Sequence, residues 1–252
     1  MRIDAPLFQN LYWDTNNDSQ KQEFNPGHIA IILIIAILPH IYKLLLPQEE
    51  LFWTFIRDDV FYYYKTAINI AQGFGSTFDT YNFTNGYHPL WMLICIIVAM
   101  FNPTSNSYLY LILLTNLLFV VLFSFQLLKM FRRTLGFFFA ALLIFIINWN
   151  IKSSVALYTG LETPLYLWIV LIIIRMADKM SLDSTKQLIL MGILFGLAFL
   201  ARTDFILFLP VFFVYFAIRF YKSGIGKLCS RGFLLLIPFL LLAAPFLIWN
   251  YI

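Results

Sequence analysis

The sequence predicts an all-α, multi-pass membrane protein with about seven transmembrane helices, and two observations lead to this class. Hydrophobic residues make up 61% of the 252 residues, only 12% are charged, and the mean hydropathy is +0.80. A soluble domain carries about 25% charged residues. Apolar runs also recur along the chain between short polar loops. The net charge of +4 does not indicate nucleic-acid binding, because the basic residues lie beside apolar runs, where they set orientation.

Residues 1–27 are polar and partly acidic. This segment is too long and too acidic for the charged start of a cleavable signal peptide, so we expect a cytoplasmic N-terminal segment. The apolar run 28–46 follows, close to the roughly 20 residues that a bilayer requires. We therefore expect it to be the first transmembrane helix.

Residues 47–107 are predicted to form a loop on the outer face, with amphipathic helices lying along the membrane. Apolar side chains at Phe61, Tyr64, Ile68 and Ala71 have helical spacing, which predicts one such helix. Residues 90–101 are apolar but number only about 12, which is too few to cross a bilayer.

Residues 108–252 are predicted to hold six further spans, at 108–128, 135–149, 165–174, 187–200, 205–220 and 233–249. Charge decides the topology. If 90–101 does not cross and the N-terminus is cytoplasmic, ten basic residues fall in inner loops and five on the outer side, as the positive-inside rule expects. Asp183 or Ser184 is the expected N-cap of the run that begins at Gln187.

In this topology three separate segments bring ionisable side chains to the outer face. These are Asp58 with Asp59, Glu162, and Arg202 with Asp204. Charged groups at membrane depth are costly and usually mark function or pairing. For two of these segments the sequence alone leaves open both a structural and a functional interpretation. The aspartates either cap a helix or include a general base, and Arg202 and Asp204 either pair across a turn or belong to a site.

Two neighbouring patterns have ordinary structural explanations. Thr163 and Pro164 are expected as the cap and first residue of a helix, which leaves Glu162 unexplained. Trp91 and the tyrosines of the outer loop are expected in an aromatic belt at the membrane interface.

Four blocks in order along the chain carry a resemblance to a known family: DDVFYYYKTAINIAQGFGSTFD, TNGYHPLW, GLETPLYL and FLARTD. Together they resemble the membrane-embedded GT-C glycosyltransferases, most of all the dolichyl-phosphate-mannose mannosyltransferase-like members. Protein O-mannosyltransferases and lipid A aminoarabinose transferases are more distant. The resemblance covers the N-terminal part of a GT-C fold, since relatives continue with further spans and often an outer domain.

The resemblance implies an activity. Such enzymes transfer a sugar from a polyprenyl- or dolichyl-phosphate carrier in the membrane to an acceptor glycan, lipid or protein on the outer or lumenal face. The anomeric carbon is inverted. No cofactor is certain, and a divalent metal is left open.

The resemblance also implies roles for individual residues. Asp58 matches the catalytic acid, and Asp59 is a supporting acid or, with Asp58, a metal ligand. Glu162 matches a second acid, and His88 lies where relatives place a residue near the carrier phosphate. In the resulting hypothesis Asp58 takes the acceptor's proton. His88, with Arg202 or Lys152, stabilises the departing phosphate, and Asp204 completes the substrate-binding set.

Two alternatives accompany this interpretation. The chain is a catalytically silent subunit or a fragment of such an enzyme, or it is a lipid or solute transporter. A transporter is expected to show polar groups at mid-span and broken helices in matching halves. The centres of the apolar runs here are almost wholly Leu, Ile, Phe and Val, which disfavours that alternative.

Overall fold

The computed structural model describes residues 26–101 and 105–251, and all regular structure in those ranges is helical. Ten α-helices follow one another there: α1 Pro26–Leu44, α2 Gln48–Phe55, α3 Asp58–Ala71, α4 Pro89–Met100, α5 Ser105–Trp149, α6 Ile151–Leu157, α7 Thr163–Lys179, α8 Thr185–Ala201, α9 Leu209–Phe220 and α10 Ile225–Tyr251. Short 3₁₀ turns at Thr203–Phe208 and Tyr221–Ser223 flank α9. The predicted N-terminal segment lies almost wholly outside the described residues.

Four helical segments are long and apolar enough to cross a membrane: Pro26–Leu44, Ser107–Arg132, Thr203–Ser223 and Ile225–Asn250. A fifth results if Thr134–Trp149 and Ile151–Leu157, which meet at a bend of 79°, form one broken span. The prediction of seven spans is therefore not confirmed. Helices α7 and α8 have 17 residues each, fewer than the roughly 20 that a bilayer needs. Helix α4 has 12 residues, in line with the expectation that 90–101 is too short to cross.

Helix α5 is divided at Gly136, whose backbone has φ 80° and ψ 164°. A positive φ of this kind is strained for residues with a Cβ atom but not for glycine. Gly136 lies near the start of the shorter segment Thr134–Trp149, just after the long first segment Ser107–Arg132 ends. Asn150 then caps α6 through its side chain, which accepts the backbone N–H groups of Lys152 and Ser153.

The described helices pack around two buried apolar clusters. The first joins α4, α7, α8 and α10 around Trp91 and Phe195. The second joins α1, α5 and α6 around Leu113 and Tyr158. Residues of α7 pack against both clusters, so the start of this helix lies where the two halves of the bundle meet.

Helix α3 forms where an amphipathic helix was predicted, and its buried face overlaps the predicted apolar stripe only in part. Val60, Tyr63 and Ala67 are buried, whereas Phe61 is exposed and Ala71 lies at the surface. The buried face also includes Asn69, because its side-chain amide donates to the backbone oxygens of residues 77 and 78. Of the predicted apolar stripe, Tyr64 and Ile68 pack against the first cluster, and only its ends, Phe61 and Ala71, face outward.

At the start of α8 the structure decides between the two predicted caps. The Ser184 hydroxyl accepts the backbone N–H of Gln187 at 3.4 Å. Asp183 instead forms an ion pair of 2.6 Å with Lys227 near the start of α10. The loop before α8 is thus tied to a later helix as well as to its own.

A buried polar cluster joins α1 to α5 and α6. The Lys43 ammonium, predicted at the outer side, is buried and donates to the backbone oxygen and hydroxyl of Ser154 at 3.3 and 3.0 Å. The His40 Nε2 atom lies 2.9 Å from Asn148 Oδ1. Because the Asn148 amide donates to the Ile144 carbonyl, its oxygen faces His40, and the ring proton is on Nε2.

Candidate functional site

Glu162 is the buried centre of the candidate site, with only 5% of its surface exposed. Its Oε1 atom lies 3.7 Å from His88 Nε2 and 3.6 Å from a terminal nitrogen of Arg202. Glu162 occupies the N-cap position of α7, and Thr163 is the first residue of that helix, so the predicted Thr163 cap is wrong by one position. The Glu162 side chain makes no capping bond. Its carboxylate faces the two basic groups instead.

Arg202 is shared between two carboxylates. Its guanidinium donates to both oxygens of Asp204 at 3.3 and 3.2 Å, and it also pairs with Glu162. Partial burial lowers the pKa of Arg202, but the bonds to Asp204 and the charge of Glu162 outweigh this, so the pKa rises above its ordinary value. The pairing of Arg202 with Asp204 across their turn is therefore present, and Arg202 also reaches the buried Glu162; a role for the pair in a functional site stays a prediction.

The backbone before Glu162 is fixed by two side chains from neighbouring helices. Trp91 Nε1 donates to the Gly160 carbonyl at 3.1 Å, and the Asn116 amide donates to the Leu161 carbonyl at 2.6 Å. Gly160 has φ +85°, and a Cβ atom there would lie 3.2 Å from Val60. Trp91 is fully buried, so its expected place in an interfacial belt is wrong. Asn116 carried no sequence signal, because its partner is a backbone oxygen 45 positions away.

His88 is positioned through its backbone. Its N–H donates to the Tyr63 hydroxyl at 2.8 Å, and α4 begins at the next residue, Pro89. Burial raises the pKa of Tyr63, and the nearby charges of Glu162 and Asp59 raise it further, so this hydroxyl stays neutral. The run of tyrosines at 62–64 was the available signal for this contact, although it does not reveal which of the three rings faces the site.

Asp58 and Asp59 are both exposed in the first turn of α3, with Arg57 at the N-cap position. No side chain caps this helix, so the capping explanation is wrong, although a carboxylate in the first turn still interacts favourably with the helix dipole. Asp59 precedes Tyr63 by four residues and shares its helix face. Asp58 lies on the face of Tyr62, so Asp59 is the acid on the side of the buried cluster.

Two further predicted residues differ in their placement. Asp204 is half exposed beside Arg202. Lys152 is exposed on α6, and in the described ranges no hydrogen bond or ion pair connects its side chain to Glu162 or His88. Within the same ranges no three His, Cys, Asp or Glu side chains come together as a metal-binding group.

Comparison with known proteins adds no relative: no family model, no curated protein and no solved structure matches the chain. The resemblance to GT-C glycosyltransferases therefore stays a prediction, and the site stands on its own geometry.

Proposed function

We propose that this chain acts in the transfer of a sugar from a polyprenyl- or dolichyl-phosphate carrier to an acceptor on the outer or lumenal face of a membrane. The observation that supports the proposal most is the buried Glu162, held between His88 and Arg202 at the ends of separate helices. A buried carboxylate with two basic neighbours is costly to maintain, and such clusters are candidates for functional sites. The acid pair at the start of α3 supplies a candidate base on the same helix as Tyr63.

In the proposed reaction an acceptor hydroxyl attacks the anomeric carbon of the carrier-bound sugar. The bond between that carbon and the phosphate oxygen breaks, and its electron pair stays on the departing carrier phosphate. An aspartate of α3 takes the hydroxyl proton, and attack from the opposite side inverts the anomeric centre. Asp58 is the proposed base and Asp59 its supporting acid. The shared face of Asp59 and Tyr63 makes Asp59 the second candidate for the same role.

His88 is the proposed partner of the carrier phosphate. Its Nε2 atom faces Glu162, whereas no hydrogen bond of its Nδ1 atom is found in the described part of the chain. A ring fixed on one side by a carboxylate can present its other nitrogen to a ligand. Arg202 contributes positive charge at the same place, and Lys152 remains a proposed contributor.

A divalent cation is an open part of the proposal. Asp58 and Asp59 are adjacent carboxylates, and Mg²⁺ commonly binds through one or two carboxylates together with substrate phosphate oxygens. Because no protein group of three such ligands is present in the described residues, a cation would need oxygen atoms of the carrier phosphate. It would neutralise charge on that phosphate.

The proposed topology places this site on the outer side. It has seven membrane-embedded segments, with residues 1–27 in the cytoplasm, the first span at 28–46, the catalytic loop at 47–107 and six spans in 108–252. Because α7 and α8 are short, these helices and the bent α5–α6 pair would cross where the bilayer is locally thinned. A cysteine-accessibility map of the loops tests it, and labelling of Lys129→Cys and Glu50→Cys from the same side contradicts it.

The direct test of activity is transfer from a labelled polyprenyl-phosphate sugar by the purified chain in lipid. Wild type is compared with Asp58→Asn and Asp59→Asn, and Glu50→Gln serves as the matched control because Glu50 is an exposed acid in the first turn of α2. Removal of a general base typically costs about 10² to 10⁴ in rate. Transfer that drops only in Asp59→Asn assigns the base to Asp59, and undiminished transfer by both variants removes the pair from catalysis.

The same preparation separates the alternatives. Carrier binding without turnover supports the silent subunit or fragment. If neither carrier binding nor turnover is observed, the transporter alternative remains, and a flux assay in vesicles then tests it.

A further inference from the structure

The loop between α3 and α4, residues 73–87, presents four aromatic rings to the outside. Phe74, Phe78, Tyr81 and Phe83 are 54%, 47%, 86% and 85% exposed. We call this segment the aromatic loop. Aromatic rings have a large apolar surface, and exposing it to water is unfavourable in free energy. A group of four exposed rings on one loop therefore indicates a surface that binds a partner.

The loop is held in shape by its own hydrogen bonds. Asn69 donates to the carbonyl oxygens of Thr77 and Phe78 at 2.9 and 3.1 Å. The Ser76 hydroxyl donates to the Thr84 carbonyl at 2.5 Å and also pairs with the Tyr87 hydroxyl at 2.7 Å. The rings are therefore exposed by a fixed backbone, and a partner would bind without ordering the loop first.

The loop carries a single charged side chain, and the hydrogen bonds of that side chain are made within the loop. Asp79 is its one ionisable side chain apart from tyrosine, and its carboxylate accepts the backbone N–H groups of Tyr81 and Asn82 and the side-chain amide of Asn82. These bonds lower the pKa of Asp79 to about 2. Its hydrogen-bonding capacity is thus largely used within the loop, and the outward surface consists of aromatic rings, uncharged polar groups and this one carboxylate.

The position of the loop indicates what the partner is. The Tyr87 ring lies 5.8 Å from that of Trp249, in the last turns of the apolar helix α10. The end of a span is the level of the membrane interface, where aromatic residues are enriched. The aromatic loop is therefore placed at the depth of the lipid headgroups.

We propose that the aromatic loop inserts Phe74, Phe78, Tyr81 and Phe83 into the headgroup boundary of the adjacent membrane leaflet. The insertion fixes the depth of His88, which follows the loop directly and contacts Glu162. Interfacial segments bury their apolar groups about 5–10 Å into this boundary. The proposal does not depend on sugar transfer, because any reaction at the site would use the same anchor.

Depth-dependent quenching tests the insertion in the full chain reconstituted in phosphatidylcholine nanodiscs. Cys229 is replaced by serine, and Cys95 is buried and stays unlabelled. A fluorophore is then attached at Phe83→Cys or Tyr81→Cys, or at the control Glu50→Cys, which is exposed on the polar first turn of α2. Two loop positions are used so that the loss of one ring does not decide the outcome.

We expect lipids with a spin label near the headgroup to quench both loop fluorophores several-fold more than the control, and aqueous iodide to show the reverse order. Iodide quenching at both loop positions as strong as at Glu50→Cys, with no effect of spin-labelled lipid, overturns the proposal. Protection of the loop from iodide by a soluble oligosaccharide alone also overturns it, since the rings would then stack on sugars.

Discussion

The contact between α8 and α10 allows a sharp prediction about stability. A Cβ atom added at Gly192 would lie 2.2 Å from the backbone oxygen of Leu235 and 3.2 Å from Pro238. Because a backbone oxygen cannot rotate away, Gly192→Ala forces the two helices apart by roughly 1 Å, which forfeits a large part of the dispersion energy along the contact. Overpacking of this kind costs about 1–3 kcal/mol, partly offset by the roughly 1 kcal/mol that alanine gains over glycine in a helix.

Two matched variants separate the clash from the change in helix propensity. At Gly196 the added atom meets the Leu242 side chain, with 2.6 Å to its Cδ1 atom, so part of the clash is relieved by rotation. At Gly232 in α10 nothing lies within 4 Å. We expect the midpoint of thermal unfolding in detergent to fall most for Gly192→Ala, less for Gly196→Ala, and to rise slightly for Gly232→Ala. A Gly192→Ala midpoint equal to or above that of Gly232→Ala refutes the close helix contact.

Three further predictions concern charged groups. Glu162→Gln is expected to lower the free energy of unfolding by about 1–2 kcal/mol. This loss is smaller than that for breaking a fully buried ion pair, because Arg202 still pairs with Asp204 in the variant. An unchanged midpoint of thermal unfolding contradicts this. Lys43→Met keeps the volume of the buried side chain and is expected to cost about 1 kcal/mol, whereas Lys43→Ala adds a cavity and costs about 2–4 kcal/mol; equal unfolding midpoints for the two variants exclude a packing role. Asp79 has its pKa lowered from 3.8 to about 2, so its stabilisation of the aromatic loop is complete above pH 3.8 and is lost as the pH falls through 2; a fluorophore at Tyr81→Cys reports this transition, which Asp79→Asn abolishes.

The sequence predicted where the helices lie better than it predicted which of them are long enough to span a membrane. Apolar runs predicted a helix in each segment, since hydrophobic periodicity is a local property. The division of α5 near Gly136 agrees with the separate runs predicted at 108–128 and 135–149, whereas the bend of 79° after Trp149 was not predicted. Helices α7 and α8 have only 17 residues each. Counting spans from apolar length therefore gave seven where the helices themselves support four or five.

The candidate site was accessible from the sequence only where a charge stood out from apolar surroundings. Glu162 and Arg202 were identified this way, and the structure brings them within 3.6 Å. The contacts that hold them were missed, because Trp91 and Asn116 bind backbone oxygens, and any residue could supply those oxygens. The buried face of α3 was missed for the same reason, since Asn69 is buried by carbonyls of a loop that follows it.

Lys43 illustrates a different limit of sequence reasoning. Lys43 is one of the five basic residues that the charge count placed on the outer side, and a lysine in the last turn of an apolar helix normally extends its ammonium group to the interface. Its burial depends on Ser154, which is 111 positions away, and on the rings of Phe55 and Tyr158, over which the ammonium lies at 4.9 and 5.7 Å. A backbone oxygen and a hydroxyl as acceptors, together with two aromatic faces, can replace a carboxylate partner, and none of them has a signature in the sequence.

The balance of charge at the site constrains how it can receive an anionic phosphate. Four carboxylates, those of Asp58, Asp59, Glu162 and Asp204, lie at this end of the described helices, and Arg202 is already shared between the last two. His88 adds a positive charge only when its ring carries two protons. A phosphate that arrived alone between His88 and Arg202 would therefore meet two carboxylates and a guanidinium already paired with both, and would lose binding energy. Either it displaces a carboxylate from Arg202, or it brings a cation that the α3 aspartates help to bind. Glu162→Gln distinguishes the two routes because it frees Arg202 from one carboxylate. If the phosphate displaces a carboxylate, carrier binding should tighten in this variant. If the phosphate brings a cation, the dependence of carrier binding on that cation should stay unchanged.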